Sequence, residues 1–255
     1  MKLRTSITAI TFSGILLSGI IFTGCKRKEK LEAPKPIEYG SMTDVDGNTY
    51  KTVKIGNQWW MAENLKVTKY RNGTPIKQMG FTDPDSLWGK KTEGYVCEFP
   101  NVGGSNHFRD YGLLYNWYAI TDTSILAPDG WHVATDDEWK QLEIAMGMTP
   151  ADADGVNWRG NVEANHLKIH APYDWTLYGN IWGDNTSGFT ALSGACRLFD
   201  GRWADPNIGA CGFWWTTTTH PGNKAWFRNL DYKKTNVFRY YTYKTYGMSV
   251  RCVKD

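Results

Sequence analysis

The stretch GNQWWMAENL (residues 56–65) places Trp59 and Trp60 side by side in a segment with the pattern of a β-strand. Neighbouring side chains on a strand point to opposite faces, so these two rings cannot enter the same core. Upstream, DVDGNTYKTVKI (44–55) contains a second strand-like run, and Gly56-Asn57 is a turn signal between the two. The region therefore predicts a β-hairpin or meander with aromatic residues on both faces.

The best helix prediction falls on ATDDEWKQLEIAMGM (134–148). Thr135 is placed as N-cap and Glu138, three residues on, as its capping-box partner, while acidic residues fill the first turn. Trp139, Leu142 and Met146 recur at helical spacing and are expected to face the core. A second helix is predicted over GLLYNWYAI (112–120), whose apolar residues run almost all round it and indicate deep burial.

Beyond Gly188 the chain becomes strand-like again. The segments, separated by Gly, Pro, Asn or Asp, are GFTALSGACRLF (188–199), CGFWWTTTT (211–219), KAWFRNLD (224–231), NVFRYYTY (236–243) and GMSVRCV (247–253). Strands, then helices, then an antiparallel cluster predict one α+β domain with small antiparallel sheets, two main helices and long loops. We place this domain at residues 41–255.

Composition narrows the function classes. Aromatic residues make up 15% of the chain, with 13 tryptophans, and 255 residues are ample for a buried core. The formal charge of +3 falls to +1 once Lys2 and Arg4 are removed with the segment described next. A nearly neutral chain without a basic cluster gives no support to nucleic-acid binding.

The N-terminus has the features of an export signal. Lys2 and Arg4 precede an apolar stretch over 7–22, and the small residues Thr23 and Gly24 follow it directly before Cys25. Residues 1–24 therefore look like a bacterial lipoprotein signal peptide, with Cys25 acylated as the first mature residue and the membrane as a partner through its acyl chains. The alternative, a transmembrane anchor, is disfavoured because the run is short and broken by Ser and Gly.

Residues 25–40 are predicted to be the lipidated cysteine and a flexible tether, since KRKEKLEAPKPIEYG is charged, contains Pro and lacks periodic apolar residues. The expected location is the bacterial outer membrane, on its periplasmic or its outer face. The acidic stretch that often follows the cysteine in surface-exported lipoproteins of Bacteroides-like bacteria is replaced by Lys26, Arg27 and Lys28.

Four cysteines follow Cys25, namely Cys97, Cys196, Cys211 and Cys252. An even number in an exported chain favours disulfides, and three pairings are possible. We prefer Cys196 with Cys211, because the intervening residues contain an Asp-Gly turn that can bring the ends together, which leaves Cys97 with Cys252. The alternative is four free, buried thiols.

Seven segments appear in the order in which the Fibrobacter succinogenes major paralogous domain carries similar ones: DGNTYKTVKIGNQWWMAENLK, YGLLYNWYAI, GWHVATDDEW, SGFTALSGACR, GFWWTTT, AWFRNL and YGMSVRCVKD. They span residues 44–255, so the chain resembles this family over the whole mature domain. The resemblance implies a fold similar to C-type lectins and formylglycine-generating enzymes and an envelope lipoprotein of Bacteroidota or Fibrobacteres. It implies no assigned chemistry.

The family pattern Q-x-W-M-A-E-N-L maps onto Gln58, Trp60 and the residues from Met61 to Leu65. Trp60 is thus the pattern residue expected in the core. Trp59 occupies the variable place and is a candidate for an outward, ligand-binding ring, although packing under a neighbouring loop is the commoner outcome for such a residue.

Catalytic motifs are absent from the sequence. It has no G-x-S-x-G elbow, no H-E-x-x-H, no phosphate-binding glycine loop and no nucleotide fingerprint. His166 and His170 in HLKIH could share a helix face, but no acidic or Cys partner has metal-ligand spacing. Cys196 and Cys211 are fifteen residues apart, unlike the closely spaced redox pair of formylglycine-generating enzymes. No catalytic residue is predicted.

Calcium is the one cofactor the resemblance suggests. Sugar-binding C-type lectins use Glu-Pro-Asn or Gln-Pro-Asp and Trp-Asn-Asp triplets as calcium ligands. Only partial matches occur, in WGDN (182–185) and WADPN (203–207), which leaves Asp184, Asn185 and Asp205 as candidate ligands.

Two functions of different class are therefore expected. One is a non-catalytic binding module for a glycan or an envelope protein, in which aromatic rings in loops stack on sugars. The candidates, besides Trp59, are Trp175, Tyr178, Trp182 and Trp203. The other is a structural or assembly subunit of a surface complex, in which the same rings anchor a protein interface.

Overall fold

The predicted hairpin at residues 49–61 is confirmed and forms the centre of a five-stranded sheet. β2 (Thr49–Ile55) pairs antiparallel with β3 (Gln58–Met61) through a two-residue turn in which Gly56 has φ +59. A positive φ costs Gly little, and such two-residue turns match the twist of the flanking strands. The remaining strands of this sheet are β1 (Tyr39–Thr43), β7 (Trp131–Val133) and β13 (Cys252–Lys254), in the order β1-β2-β3-β13-β7.

The computed structural model describes residues 36–80, 85–99, 111–170, 174–204 and 209–255. The predicted signal peptide, Cys25, most of the tether and Asp205 lie outside these residues. The first strand begins at Tyr39. The fold class is α+β, as predicted from the order of the elements.

The described residues also form two four-stranded sheets. The second sheet has the order β8-β11-β10-β9 and the third has the order β12-β6-β5-β4. Their strands are β4 (Lys77–Met79), β5 (Tyr95–Cys97), β6 (Leu114–Asn116), β8 (Asn157–Arg159), β9 (Cys211–His220), β10 (Lys224–Asp231), β11 (Val237–Tyr243) and β12 (Gly247–Met248). The predicted strands in 211–243 are thus confirmed. Residues 188–199 form isolated bridges instead of a strand.

The helices are short. Those with both ends in the described residues are α1 (Asp85–Trp88), α2 (Trp117–Ile120), α3 (Asp136–Ala145), α4 (Pro150–Asp154) and α5 (Glu163–Leu167). The capping box of α3 is confirmed: Thr135 accepts from the Glu138 N–H, and Glu138 accepts from the Thr135 N–H at 2.7 Å. Within the part of the chain that the structure describes, no helix has the length and apolar content required to cross a bilayer.

The predicted helix over 112–120 is wrong in its first half. Residues 114–116 form β6, and Asn116 then caps the single-turn helix α2 by accepting from the Ala119 N–H at 3.0 Å. Because β6 is buried between β5 and β12, its side chains are apolar on both faces, a pattern that a buried helix shares.

Trp60 lies in the core as predicted. It is fully buried, with its ring 5.2 Å from that of Trp139 and 5.8 Å from that of Phe189. Trp59 is half-buried and packs against a separate cluster of buried residues. A Cβ at Gly40 of β1 would lie 3.3 Å from the Trp59 ring, so the glycine leaves room for this ring to extend across β2.

A buried ionic network joins α3 to the second sheet. Arg228 donates to Glu143 and to Asp136 at 2.7 Å each, and Arg239 donates to Asp136 at 2.7 Å. Arg159 reaches Glu143 from β8. Burial alone would raise the pKa of Asp136, but the two arginines hold it far below its usual range.

The structure does not contain the predicted disulfides. None of Cys97, Cys196, Cys211 and Cys252 forms a disulfide bond. Cys97 and Cys252 lie in different sheets and different core clusters, so pairing them would require the sheets to move. A short hairpin does form around Gly201, but it places Ala204 opposite Cys196, with the Ala204 N–H donating to the Cys196 carbonyl at 2.9 Å. The Cys211 thiol lies 3.3 Å from an Asp231 carboxylate oxygen.

Candidate functional site

Trp175, predicted to be a loop ring open to ligand, is buried instead. Its side chain is 3% exposed, and its Nε1 donates to the Ala191 carbonyl at 2.9 Å. The ammonium group of Lys168 lies 5.2 Å from the ring centroid and donates to the carbonyls of Asp231 and Lys234. Trp175 is a core residue because the chain after it returns across the ring at Ala191.

Trp203 is half-buried. Its ring stacks on Phe99 with centroids 6.3 Å apart, and the Arg197 guanidinium lies 5.5 Å from it. Like the Trp59 ring, the Trp203 ring mainly packs against neighbouring side chains.

Tyr178 and Trp182 are exposed as predicted, with 49% and 48% of their surfaces accessible. They lie on a small hairpin in which Tyr178 pairs with Ile181 across Gly179, whose φ is +56. Alternation along the two arms places Leu177 and Trp182 on one face and Tyr178 on the other. Tyr178 contacts Tyr232, with ring centroids 5.8 Å apart, so the two predicted rings do not form one surface.

A polar cluster follows Trp182 directly in the chain. His166 Nδ1 lies 3.0 Å from Asp184 Oδ2 and 2.9 Å from the Thr186 hydroxyl. Thr186 also donates to Asp184 Oδ1 from its hydroxyl at 2.9 Å and its N–H at 3.0 Å. Helix α5 supplies His166, and the backbone N–H of Asp184 donates to the Asn165 carbonyl, which fixes the loop against the helix.

The cluster orients the imidazole. Because Asp184 lies on Nδ1, the neutral ring carries its proton there and presents Nε2 as an acceptor. No residue in the described parts of the chain hydrogen-bonds to Nε2. Burial alone would raise the pKa of Asp184, but hydrogen bonds from Thr186 and His166 lower it, so the carboxylate is ionised at neutral pH.

This arrangement is not a nucleophile relay. In a Ser-His-Asp triad the hydroxyl and the carboxylate contact opposite ring nitrogens, whereas Thr186 and Asp184 both contact Nδ1 of His166. His170 is exposed and lies beyond the end of α5 at Leu167, so the two histidines do not share a helix face.

The candidate calcium ligands are already engaged within the loop. Asn185 Oδ1 accepts from the Thr190 N–H at 2.8 Å and Nδ2 donates to the Thr190 hydroxyl at 3.1 Å. Asp184 accepts from Thr186 and His166, and Asp205 lies outside the described residues. Among the described ranges, no group of three or more His, Cys, Asp or Glu side chains has metal-site geometry.

Two buried cations were not predicted from the sequence. Arg251 is fully buried and donates to Asn64 Oδ1 at 2.6 Å and to the carbonyls of Met61, Phe189 and Thr190. Burial lowers the pKa of Arg251 to about 9 and that of Lys168 to about 8. Both bind backbone carbonyls from distant segments, and no local pattern marks such a residue.

The sequence model of the Fibrobacter succinogenes major domain matches residues 53–254. The chain belongs to this family. Comparison with curated proteins and with solved structures gives no significant match.

The family-pattern residues of this Fibrobacter succinogenes major domain form an interior hub. Asn64 of the MAENL segment accepts from Trp214 Nε1 at 2.9 Å and from Arg251, and it donates to the Tyr111 carbonyl at 2.8 Å. The hub thus joins four of the segments that carry the family resemblance. The exposed Trp182 and its polar neighbours lie outside those segments.

Proposed function

We propose that this protein is a non-catalytic binding module of the cell envelope whose ligand is a glycan, bound at Trp182 and the His166–Asp184–Thr186 cluster. The observation that carries the proposal is the half-exposed Trp182 ring two residues from an oriented, ionised polar cluster. Aromatic faces bury the apolar side of a sugar ring, and a few fixed polar groups hydrogen-bond its hydroxyls.

The polar groups have complementary roles. His166 Nε2 would accept a hydrogen bond from a sugar hydroxyl, and the partly exposed Asp184 carboxylate has lone pairs left for a second hydroxyl. Because Thr186 and Asp184 hold the imidazole in one orientation, little rotamer entropy is lost when the ligand binds.

The envelope location rests on the N-terminal sequence. Lys2 and Arg4, the apolar run and the small residues before Cys25 support export and acylation of Cys25. Several acyl chains on one residue would anchor the module stably in the outer membrane.

The test is retention of purified protein on an array of plant and host polysaccharides, with Trp182→Ala as the variant. Loss of ring stacking is expected to weaken binding at least about tenfold with unchanged thermal stability, because the ring is exposed. Tyr243→Ala is the matched control, since Tyr243 is 47% exposed at a different place and should leave retention unchanged. The proposal is contradicted if neither wild type nor Trp182→Ala retains any glycan and the variant has a lower melting temperature than wild type.

His166→Gln and Asp184→Asn test the polar half of the site. Each removes one oriented acceptor, and a decrease in glycan affinity of about tenfold is expected from a lost charged or oriented hydrogen bond. If wild type and both variants are retained equally, the polar cluster does not contribute to glycan binding and the Trp182 ring alone does.

An assembly subunit of a surface complex is the second candidate, favoured by Leu177, which is 58% exposed on the same hairpin face as Trp182. Leu177→Ser distinguishes the two functions. A protein interface would lose a buried apolar contact and the complex would dissociate, whereas stacking of a sugar on Trp182 would change little.

A further inference from the structure

Over its second half, the outer edge of β11 pairs with none of the described residues. β8 pairs with β11 only from Val237 to Arg239. β11 continues to Tyr243, with β10 on its inner side throughout. The chain before β8 leaves the sheet at Asn157, whose φ is +66, and no other described residue pairs with the Tyr240–Tyr243 edge.

The pairing pattern determines which backbone groups face outward. Lys244 N–H donates to the Asn223 carbonyl at 3.3 Å, immediately outside the Lys224–Tyr243 pair. Opposed residues in an antiparallel ladder alternate between hydrogen-bonded and non-hydrogen-bonded pairs. Because Asn223 and Lys244 are hydrogen-bonded to each other, the adjacent Lys224–Tyr243 pair is of the non-hydrogen-bonded type. Tyr241, opposite Trp226, is therefore of the same type. The N–H and C=O groups of Tyr241 and the N–H of Tyr243 point away from β10, toward this edge, whereas the Tyr243 carbonyl already accepts from the Tyr246 N–H at 3.1 Å.

This edge lacks the features that usually prevent strand addition. Residues 240–243 contain no Pro and no charged side chain, and the β10–β11 register runs without a bulge. Aromatic side chains flank it: Tyr243 is 47% exposed and its ring lies 6.0 Å from Phe199, itself 48% exposed. An added strand would find backbone partners and apolar surface together.

Two lysines lie beside the edge, and the nearby acidic residue Asp200 is paired with Arg202. Lys224 Nζ lies 5.4 Å from the Tyr241 ring and 5.3 Å from the Tyr243 ring, and Lys244 Nζ lies 3.9 Å from the Trp117 ring. Neither lysine forms an ion pair with any described residue. Two cations held over rings without a paired carboxylate favour an acidic partner.

We propose that the Tyr240–Tyr243 edge of β11 receives an extended, acidic polypeptide segment of a partner protein as an added strand. Backbone hydrogen bonds to Tyr241 and Tyr243 would supply affinity, and carboxylates beside Lys224 and Lys244 would supply selectivity. A second copy of this chain fits less well, because edge-to-edge pairing would bring the same lysines of both copies together. The inference is independent of the glycan site, which uses different residues.

The experiment is a nuclear magnetic resonance titration of ¹⁵N-labelled protein with an acetylated pentapeptide of alternating glutamate and valine, up to millimolar concentration. The expected result is a shift of the Tyr241 and Tyr243 amide signals and slower hydrogen exchange at both. A peptide of alternating lysine and valine should bind at least about tenfold more weakly, because it places like charges beside Lys224 and Lys244.

Variants separate backbone pairing from charge. Tyr243→Pro removes an outward N–H without removing a β10–β11 hydrogen bond, as Pro on an edge strand permits, and should abolish binding. Lys224→Gln should weaken binding of the acidic peptide several-fold. Lys51→Gln is the matched control, since Lys51 lies 3.7 Å from the Tyr39 ring on a different sheet and its loss should change nothing.

Circular dichroism establishes that each variant is folded, and Lys224→Gln serves as the test if Tyr243→Pro does not fold. The proposal is overturned if the two amide signals stay unchanged at millimolar acidic peptide, or if both peptides bind equally. It is also overturned if the acidic polysaccharide polygalacturonate shifts these amide signals and the acidic peptide does not. A shift of the signals with protein concentration alone would indicate self-association and would overturn it too.

Discussion

At the scale of single residues, the carboxamide of Asn64 determines how the interior hub holds together. Its oxygen accepts from Trp214 and Arg251, and its amide group donates to the Tyr111 carbonyl and the Ser249 hydroxyl. Asn64→Leu would leave a buried indole N–H and part of a buried guanidinium without partners. We expect the free energy of unfolding to fall by about 3 kcal/mol or more, measured by urea denaturation.

Asn72→Ala is the control for Asn64→Leu, because Asn72 is exposed and accepts a single local bond from the Thr74 N–H. Its cost should stay below about 1 kcal/mol. Asn64→Asp should cost less than Asn64→Leu, since a carboxylate still accepts from Trp214 and Arg251. Equal stability of Asn64→Leu and Asn72→Ala would show that the hub carries no net energy.

Single residues also show where sequence reasoning succeeds. Strand alternation separates Trp59 from Trp60, the family pattern identifies Trp60 as the core residue, and Trp60 is fully buried. The partners of Asn64 lie 150 and 187 residues away. No local periodicity encodes such contacts, so a polar residue in the loop after β3 cannot be identified as a hub from the sequence alone.

At the scale of elements, helix α3 is attached to the second sheet through buried charges. Glu143 is fully buried and accepts from Arg228 at 2.7 Å and from Arg159. Glu143→Gln removes the charge that compensates these arginines, and we expect a loss of about 3 kcal/mol in unfolding free energy. Asp137→Asn on the same helix is the control, since Asp137 is 82% exposed and its ion pair with Lys140 should contribute less than about 1 kcal/mol. Similar losses for the two variants would contradict this account.

Strand β7 and helix α3 are linked by a pH-dependent contact. His132 lies 2.6 Å from Glu138 and 2.6 Å from Asp255. Burial alone would lower the pKa of His132, but hydrogen bonds to Asp255 and Glu138 raise it above 6.5. The folded state then holds the proton more tightly than the unfolded state, so the contact stabilises below about pH 6.5 and is lost as pH rises through the folded pKa.

The size of this effect is small because the His132 side chain is 40% exposed. We expect less than about 1 kcal/mol between about pH 6 and about pH 9. The measurement is the urea midpoint of wild type and of His132→Gln at both values. The variant should lack the wild-type decrease, and an identical decrease in both would assign it to other groups.

Helices and strands are predicted correctly where the local sequence contains a complete signal. They are predicted incorrectly where burial of both faces makes the apolar patterns of strand and helix alike. Thr135 and Glu138 specify the start of α3 by their own hydrogen bonds, so the helix was found from sequence. Residues 114–116 are buried on all sides, and only pairing with β5 and β12 makes them a strand. Tertiary contacts therefore override a periodicity that strand and helix share.

At the scale of the whole molecule, the candidate site was only partly predictable. Trp182 and Asp184 are identified from the sequence by their residue types and lie two residues apart in the chain. His166, 18 residues from Asp184, joins them because the loop after the hairpin returns to α5. Trp175 was misjudged since a loop position in the sequence gave no indication that Ala191 would cover the ring.

Thiol chemistry gives a prediction for the whole fold. Cys97, Cys196 and Cys252 are buried, and burial raises the pKa of each thiol, to about 11 for Cys97. Cys211 is half-buried. Because the thiolate is the reactive form, Cys211 should react with a thiol reagent first and the other three cysteines only as the fold opens globally. Mass spectrometry of labelled peptides measures this order.

A reducing agent should leave the melting temperature unchanged. A decrease in melting temperature on reduction would show that the protein contains a stabilising disulfide.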